Sequence, residues 1–175
     1  HLAADADRLE LLELTGHTRL RTAGTPPGGL EGMEARDMNL SYAPDGRTLQ
    51  RAILAGRSTL LVAGPAGSPS RRLSAELIDV GVGSDGQTVT SLTANDAVEL
   101  FLPGDRANPT TRRVRSSRLE GAGRNGQALS AVRFAENVEF SEMSAATAST
   151  AALERYARAR TLEATMQPGL GAINV

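Results

Sequence analysis

LSAELIDVGVGSDGQTVTSLTANDAVELFL, residues 73 to 102, decides the fold class. Leu73, Ala75 and Leu77 alternate with polar residues, and Ile78, Val80 and Val82 continue as an apolar alternation. Asp85-Gly86 is a turn signal, after which Val89, Leu92, Val98 and Leu100 resume the apolar pattern. Short period-2 runs on both sides of such a dipeptide read as strand, turn, strand. The pattern recurs upstream in Ala35, Met38, Asp45-Gly46, Leu49 and Leu60. Downstream it recurs in Ser116, Leu119, Asn125-Gly126, Leu129, Phe134 and Val138, and the small residues Ala35, Ala75 and Ser116 stand 40 and 41 positions apart. A fourth copy opens with Ala159 and Leu162 and places Gly169 at the turn position, and the chain is expected to end inside it. One strand pair cannot bury its apolar face alone, so the copies must stack or close over one another. The expectation is one continuous all-β domain over residues 1–175, antiparallel and built from strand-pair repeats of about 40 residues.

Within each repeat the apolar phase flips once, from the odd positions Leu73, Ala75 and Leu77 to the even positions Ile78, Val80 and Val82. A flip in a flat sheet would turn the apolar set to solvent, so the strands are expected to carry a bulge and bend sharply, as in rolled or folded-over sheets. This predicts at least twelve short strands in two facing sheets, with turns at Asp45-Gly46, Asp85-Gly86 and Asn125-Gly126. Residues 1–8 are expected to be disordered, Leu9 to Leu20 reads as an opening strand, and Gly16 marks a bulge within it. Pro26-Pro27-Gly28-Gly29, the segment Gly64 to Ser70 and Asn108-Pro109 are loop signals. Over 151–166 the alanines suit a helix while the repeat register asks for a strand, and the register favours strand.

With 40% hydrophobic and 22% charged residues, the composition is that of a folded domain with a sizeable core. The formal charge of −1, from 19 basic and 20 acidic residues, supplies no global field to draw in nucleic acid or an anionic membrane. No cysteine is present, which excludes disulfides and thiolate metal sites. No apolar run approaches the roughly 18 residues of a spanning helix, and the N-terminus lacks the charged and apolar regions of a signal peptide, so the chain is expected to be a fragment or processed form.

Apparent chemical motifs have simpler explanations. Gly81-Val82-Gly83-Ser84-Asp85-Gly86 and Gly121-Ala122-Gly123-Arg124-Asn125-Gly126 both spell the dinucleotide fingerprint, but strand patterns follow where a phosphate-binding helix is required. Both read as glycine-rich turns. His1 and His17 are the only histidines, and Ser58 sits in a period-2 strand without the small-residue elbow of a hydrolase. Glu34, Asp37, Glu76, Asp79 and Glu99 read as solvated surface, with no support for a metal site or a cofactor. Arg36, Arg71-Arg72, Arg112-Arg113, Arg115, Arg158 and Arg160 recur near the start of each repeat. They could protect strand edges by charge or recognise phosphate and carboxylate head groups.

The segments Glu34-Ala35-Arg36-Asp37-Met38, Arg72-Leu73-Ser74-Ala75 and Ala135-Glu136-Asn137-Val138-Glu139-Phe140, with their Asp-Gly turns, resemble the OstA-like periplasmic proteins of lipopolysaccharide transport, the LptA/LptC type. The resemblance covers most of residues 9 to 175. It implies a folded-over, V-shaped β-jellyroll without enzymatic activity, whose apolar groove shields lipid acyl chains on the way to the outer membrane. It also implies periplasmic location and end-to-end pairing of homologous domains through edge strands. The composition fits independently: aromatics are 3% and Trp is absent, so the interior is aliphatic, and each CH₂ of a lipid tail exposed to water costs about 0.8 kcal/mol. The in-phase apolar positions expected to line the interior, and to contact lipid, are Leu40, Tyr42, Leu60, Val62, Ile78, Val80, Leu92, Val98, Leu100, Leu119, Phe134, Val138 and Phe140. The same residues would serve a closed core, so the alternative is a structural β-repeat scaffold that assembles or binds protein through exposed strand edges.

Overall fold

The computed structural model describes residues 8–22, 25–64, 68–105, 109–123, 127–146, 151–166 and 173–174. They form β1 (Leu11–Arg21), β2 (Leu30–Tyr42), β3 (Leu49–Val62), β4 (Arg71–Val82), β5 (Val89–Leu102), β6 (Thr110–Gly123), β7 (Leu129–Ser144), β8 (Leu153–Met166) and β9 (Ile173–Asn174). These nine strands make a single sheet, each pairing antiparallel with its neighbours in sequence order. The repeat register therefore prevails over the alanine-rich composition of 151–166, which is strand β8.

The expectation of at least twelve short strands in two sheets is corrected: there are nine, in one sheet, and β2 to β8 run 12 to 16 residues each. The apolar phase flip does not end a strand; β2, β4 and β6 run straight through it, each opposite a two-residue bulge in the neighbouring strand. Between β5 and β6 the register breaks at Asn95/Val98, and the same break recurs at Thr15/Thr18, Ala55/Ser58 and Ala135/Val138. At each break two consecutive residues adopt positive φ: Gly16 (80°) and His17 (57°), Gly56 (80°) and Arg57 (53°), Asp96 (62°) and Ala97 (53°), Glu136 (63°) and Asn137 (54°). The first two repeats put glycine, which has no Cβ to clash, at the leading position; the later two hold Asp and Glu there, each left-handed L residue costing about 1–2 kcal/mol. The bulges stand 40 residues apart and line up across the sheet as one crease.

Burial follows the crease. In β5, Leu92 and Ala94 are buried, Asp96 and Ala97 are exposed, and Val98, Leu100 and Leu102 are buried. In β4 the flip falls after Ala75, so Leu77, placed in the apolar alternation by its odd phase, lies outside at 38% exposure. Ser58 is buried at the crease and donates its hydroxyl to the Glu76 carbonyl at 3.3 Å, so its role is to satisfy backbone where the ladder breaks.

The bend carries far enough to fold the sheet on itself. The β1–β2 loop and the β4–β5 turn belong to opposite ends of the strands, and a strand of about 13 residues spans roughly 43 Å when straight. Yet the Leu30 N–H donates to the Gln87 carbonyl at 2.8 Å, and Gly29 forms a bridge with Thr88. The two halves of each long strand thus face one another across an aliphatic interior, in an open, folded-over, jellyroll-like all-β domain.

The tight turns are held by one device used twice. Asp45 accepts the N–H groups of Arg47 and Thr48, both at 2.8 Å, and the Thr48 hydroxyl; Asp85 does the same with Gln87, Thr88 and the Thr88 hydroxyl. Gly46 and Gly86 supply the left-handed residue the turn requires, at φ 67° and 69°. The third predicted turn, Asn125-Gly126, lies outside the described residues. Hydrogen bonds to its charged form, first from the Thr48 hydroxyl, lower the Asp45 pKa from 3.8 to about 2. A depressed carboxylate pKa contributes stability above the unfolded value and loses it as pH falls through the folded one. The difference in melting temperature between the wild type and Asp45→Asn is therefore expected to be present at pH 6 and to shrink between pH 3.8 and about 2; a difference unchanged across that window would show that the Asp45 carboxylate does not organise the turn.

Candidate functional site

The interior of the fold gathers the positions selected by phase. Leu40, Leu60, Ile78, Val80, Leu100, Leu119 and Phe134 are 0% exposed, and Val62, Leu92, Val98 and Val138 are no more than 2% exposed. Tyr42 and Phe140 are half-buried and pack against the same cluster. Cross-strand pairs keep these residues in rows: Val80 beside Leu92, Leu73 beside Leu100, Leu119 beside Phe134, and Val114 beside Phe140. Paired residues share a face of the sheet, so each row runs along the interior from strand to strand. Met33, Met38, Leu54 and Leu73 complete the core.

The interior is filled through β2–β6 and open at β8. Phe140 pairs with Ala157 and Val138 with Ala159, which puts both alanines on the inward face, yet both are exposed. Leu162, paired with Phe134, is half-buried, and only Ala164, paired with Val132, is fully covered. The row of interior residues thus continues past the point where anything covers it. Leu153 and Tyr156 on β8, with Met143 on β7, add exposed apolar surface at 43%, 55% and 55%. β9 pairs only with Thr165 and Met166, so from Leu153 to Ala164 the outer edge of β8 has no strand beside it among the described residues. Among the described residues the edge of β1 away from β2 also has no strand beside it.

Among the described residues, surface depressions of several hundred Å³ lie elsewhere. One of about 460 Å³ sits on the outer face of β6–β8 over Gly121, Ala122 and Ala131. Two more, of about 520 and 480 Å³, follow the crease, beside Ala97, Ser117 and Asn137 and beside His17, Gly56 and Arg57.

The arginines do not form a bare basic line. On the outer face, Glu99 binds Arg115 at 2.8 Å, Glu139 binds Arg158 at 3.0 Å, and Arg51 donates from Nε to Asp79 at 2.8 Å. Arg36 pairs with Asp37 at 2.8 Å, and the bond raises the arginine pKa and lowers that of the aspartate. Arg72 and Arg113 lie over the ring of Phe101, at 5.4 and 5.6 Å from its centre. Glu142 is the exception among the acids: it faces inward at the lip of the sheet, is 8% exposed, and is bound by Arg112 Nε at 2.6 Å and by Arg155 at 3.2 Å.

Among the described residues no group of histidine, cysteine, aspartate and glutamate is placed to hold a metal ion, and no helix is long and apolar enough to cross a membrane. Gly83 to Gly86 is a turn leading into strand β5, the wrong element for a phosphate-binding motif. Gly121 to Gly123 belongs to β6, and the rest of that second motif lies outside the described residues. His17 occupies the crease bulge. No family model, curated protein or solved structure matches the chain.

The residues that sequence reasoning missed are Ala157 and Glu142. Alanine is too small to register in an apolar alternation, and Glu142 is an inward-phase carboxylate at a strand end. Its signal was present: Phe140 and Glu142 share a phase, and Arg112 stands at the matching position of the preceding strand.

Proposed function

We propose that the chain is a non-enzymatic carrier module that shields the acyl chains of lipopolysaccharide or a similar amphiphile between the halves of its folded sheet, in transit across the periplasm. The observation that carries this reading is the uncovered inward face of β8, where Ala157 and Ala159 extend the aliphatic rows of Phe140 and Val138 into solvent. The small side chains of Ala157 and Ala159, beside the larger Phe140 and Val138, leave room on that face for a hydrocarbon chain. Non-directional apolar contact suits tails of varied length, because binding scales with buried area rather than with specific hydrogen bonds. Incubation of the purified chain with dispersed lipopolysaccharide, followed by size exclusion and native mass spectrometry, is expected to yield a lipid-bound species; recovery of lipid-free protein alone would refute the reading.

The free edges favour a second feature of the same reading. β1 bears the same left-handed bulge as β3, β5 and β7, so β1 of another copy can pair with β8 in the register β7 uses. Leu12 would then stand beside Ala164, Leu14 beside Leu162 and Leu20 beside Ala157, continuing each interior row into the next domain. Edge strands with unpaired backbone are templates for such addition. The Tyr42 N–H donates to the Glu10 carbonyl, so the even positions of β1 face β2 and the odd ones face away. Light scattering across a concentration series is expected to show mass rising above the monomer, and Glu13→Pro, which removes a backbone donor on the side of β1 away from β2, is expected to hold the chain monomeric. A wild type that stays monomeric at high concentration would defeat this.

The complete burial of the interior through β2–β6 favours the scaffold as the second reading, in which the edges bind protein and no lipid enters. Lipid-free assembly in the two experiments above would select it.

A further inference from the structure

One inward-facing rung near the ends of β6–β8, a step inside Thr110, Ser144 and Leu153, is charged. Val114, Phe140 and Ala157 form one inward row, and two residues nearer the strand ends Arg112, Glu142 and Arg155 form the next. On β3 and β5 the matching positions are Val62 and Leu102, both buried and apolar, with Arg71 of β4 between them. A carboxylate that is 8% exposed is unfavourable unless strongly paired, and here two guanidiniums share it, from Arg112 at 2.6 Å and Arg155 at 3.2 Å. The rung therefore carries one net positive charge immediately beyond an apolar row. Arg112 is largely covered, at 24% side-chain exposure, whereas Arg155 is 65% exposed and has N–H groups turned to solvent.

We propose that this rung is a head-group site: Arg155, backed by Arg112, receives the phosphate monoester of an amphiphile whose acyl chains lie along Phe140 and Ala157. The assignment rests on the carrier reading and adds the chemistry of the ligand. A guanidinium presents paired donors that match two phosphate oxygens, and a dianionic phosphate binds the outer face of Arg155 without displacing Arg112 from Glu142. Glu142 holds both arginines on the inward face, so the site is formed before the ligand arrives. A cation at the water end of an aliphatic row orients an amphiphile, tails inward and phosphate at the lip.

The test compares two lipids with the same dioleoyl chains, phosphatidic acid and phosphatidylcholine, each in neutral detergent micelles, for binding to the full chain. Wild type is expected to prefer the phosphate monoester by about tenfold, the effect of one hydrogen-bonded charge pair. Arg155→Gln leaves the Arg112–Glu142 pair in place, so its fold, checked by circular dichroism, is retained while the preference falls to near unity. Arg155→Lys, which keeps the charge and loses the fork, is expected to restore part of it. Equal binding of both lipids by wild type would overturn the head-group site and leave the carrier reading standing, and binding of neither would overturn both. Inorganic phosphate that competes as strongly as phosphatidic acid would make this a free-anion site and overturn the lipid assignment.

Discussion

Phe134→Ala is expected to lower the unfolding free energy by about 3–5 kcal/mol, the largest loss of any truncation in the chain. Phe134 is 0% exposed, the bulkiest of the fully buried side chains, and sits between Leu119 on one strand and Leu162 on the other. Its removal leaves a cavity between the two halves of the folded sheet, and the crease bulge two residues away, at Glu136 and Asn137, limits how far the strand can collapse into it. For a domain whose total stability is of order 5–15 kcal/mol this is a large fraction. Urea unfolding followed by circular dichroism measures it; a loss below about 1 kcal/mol would mean that the interior is not packed around this ring.

Ala157→Glu is expected to abolish acyl-chain capture while leaving the fold intact. Ala157 is exposed, so the substitution opens no cavity and buries no charge in the lipid-free protein. It does put a carboxylate on the inward row beside Phe140, where a bound tail would have to desolvate it. Substituting Ile78 or Leu100 would not separate the two effects, because both are 0% exposed and a charge there would unfold the domain. A lipid-binding assay with wild type, Ala157→Glu and the outward-facing control Arg158→Glu reads the difference. Loss of binding in the first variant alone is the expected pattern, and equal binding by all three would place the lipid elsewhere.

The repeat was legible because its chemistry is local. Asp45-Gly46 and Asp85-Gly86 can make only a few kinds of turn, and the apolar alternation between them fixes which side of a strand faces inward. The bend was also legible, since Leu73 and Ala75 share a phase that Ile78 and Val80 do not. What the sequence left open was whether the flip ends a strand or runs through it. That depends on Asp96-Ala97 and Glu136-Asn137 adopting left-handed backbone against their own preference, a choice imposed by the neighbouring ladders. Leu77 shares the odd phase of Leu73 and Ala75 yet lies outside, because the flip falls just before it and no side chain announces where the flip starts. The open end was illegible because the exposure of Ala157 and Ala159 depends on what packs against β8, which no local pattern of apolar and polar residues states.

The carrier reading puts acyl chains against the inward face at the open end of the folded sheet, where site-specific photo-crosslinking can capture them. A benzophenone side chain placed at Ala159 faces inward beside Val138, while one at Arg158 faces outward beside Glu139. With dispersed lipopolysaccharide and illumination, the carrier reading predicts a lipid adduct at position 159 and little or none at 158. Equal labelling at both positions, or none at 159 in a folded variant, would contradict it.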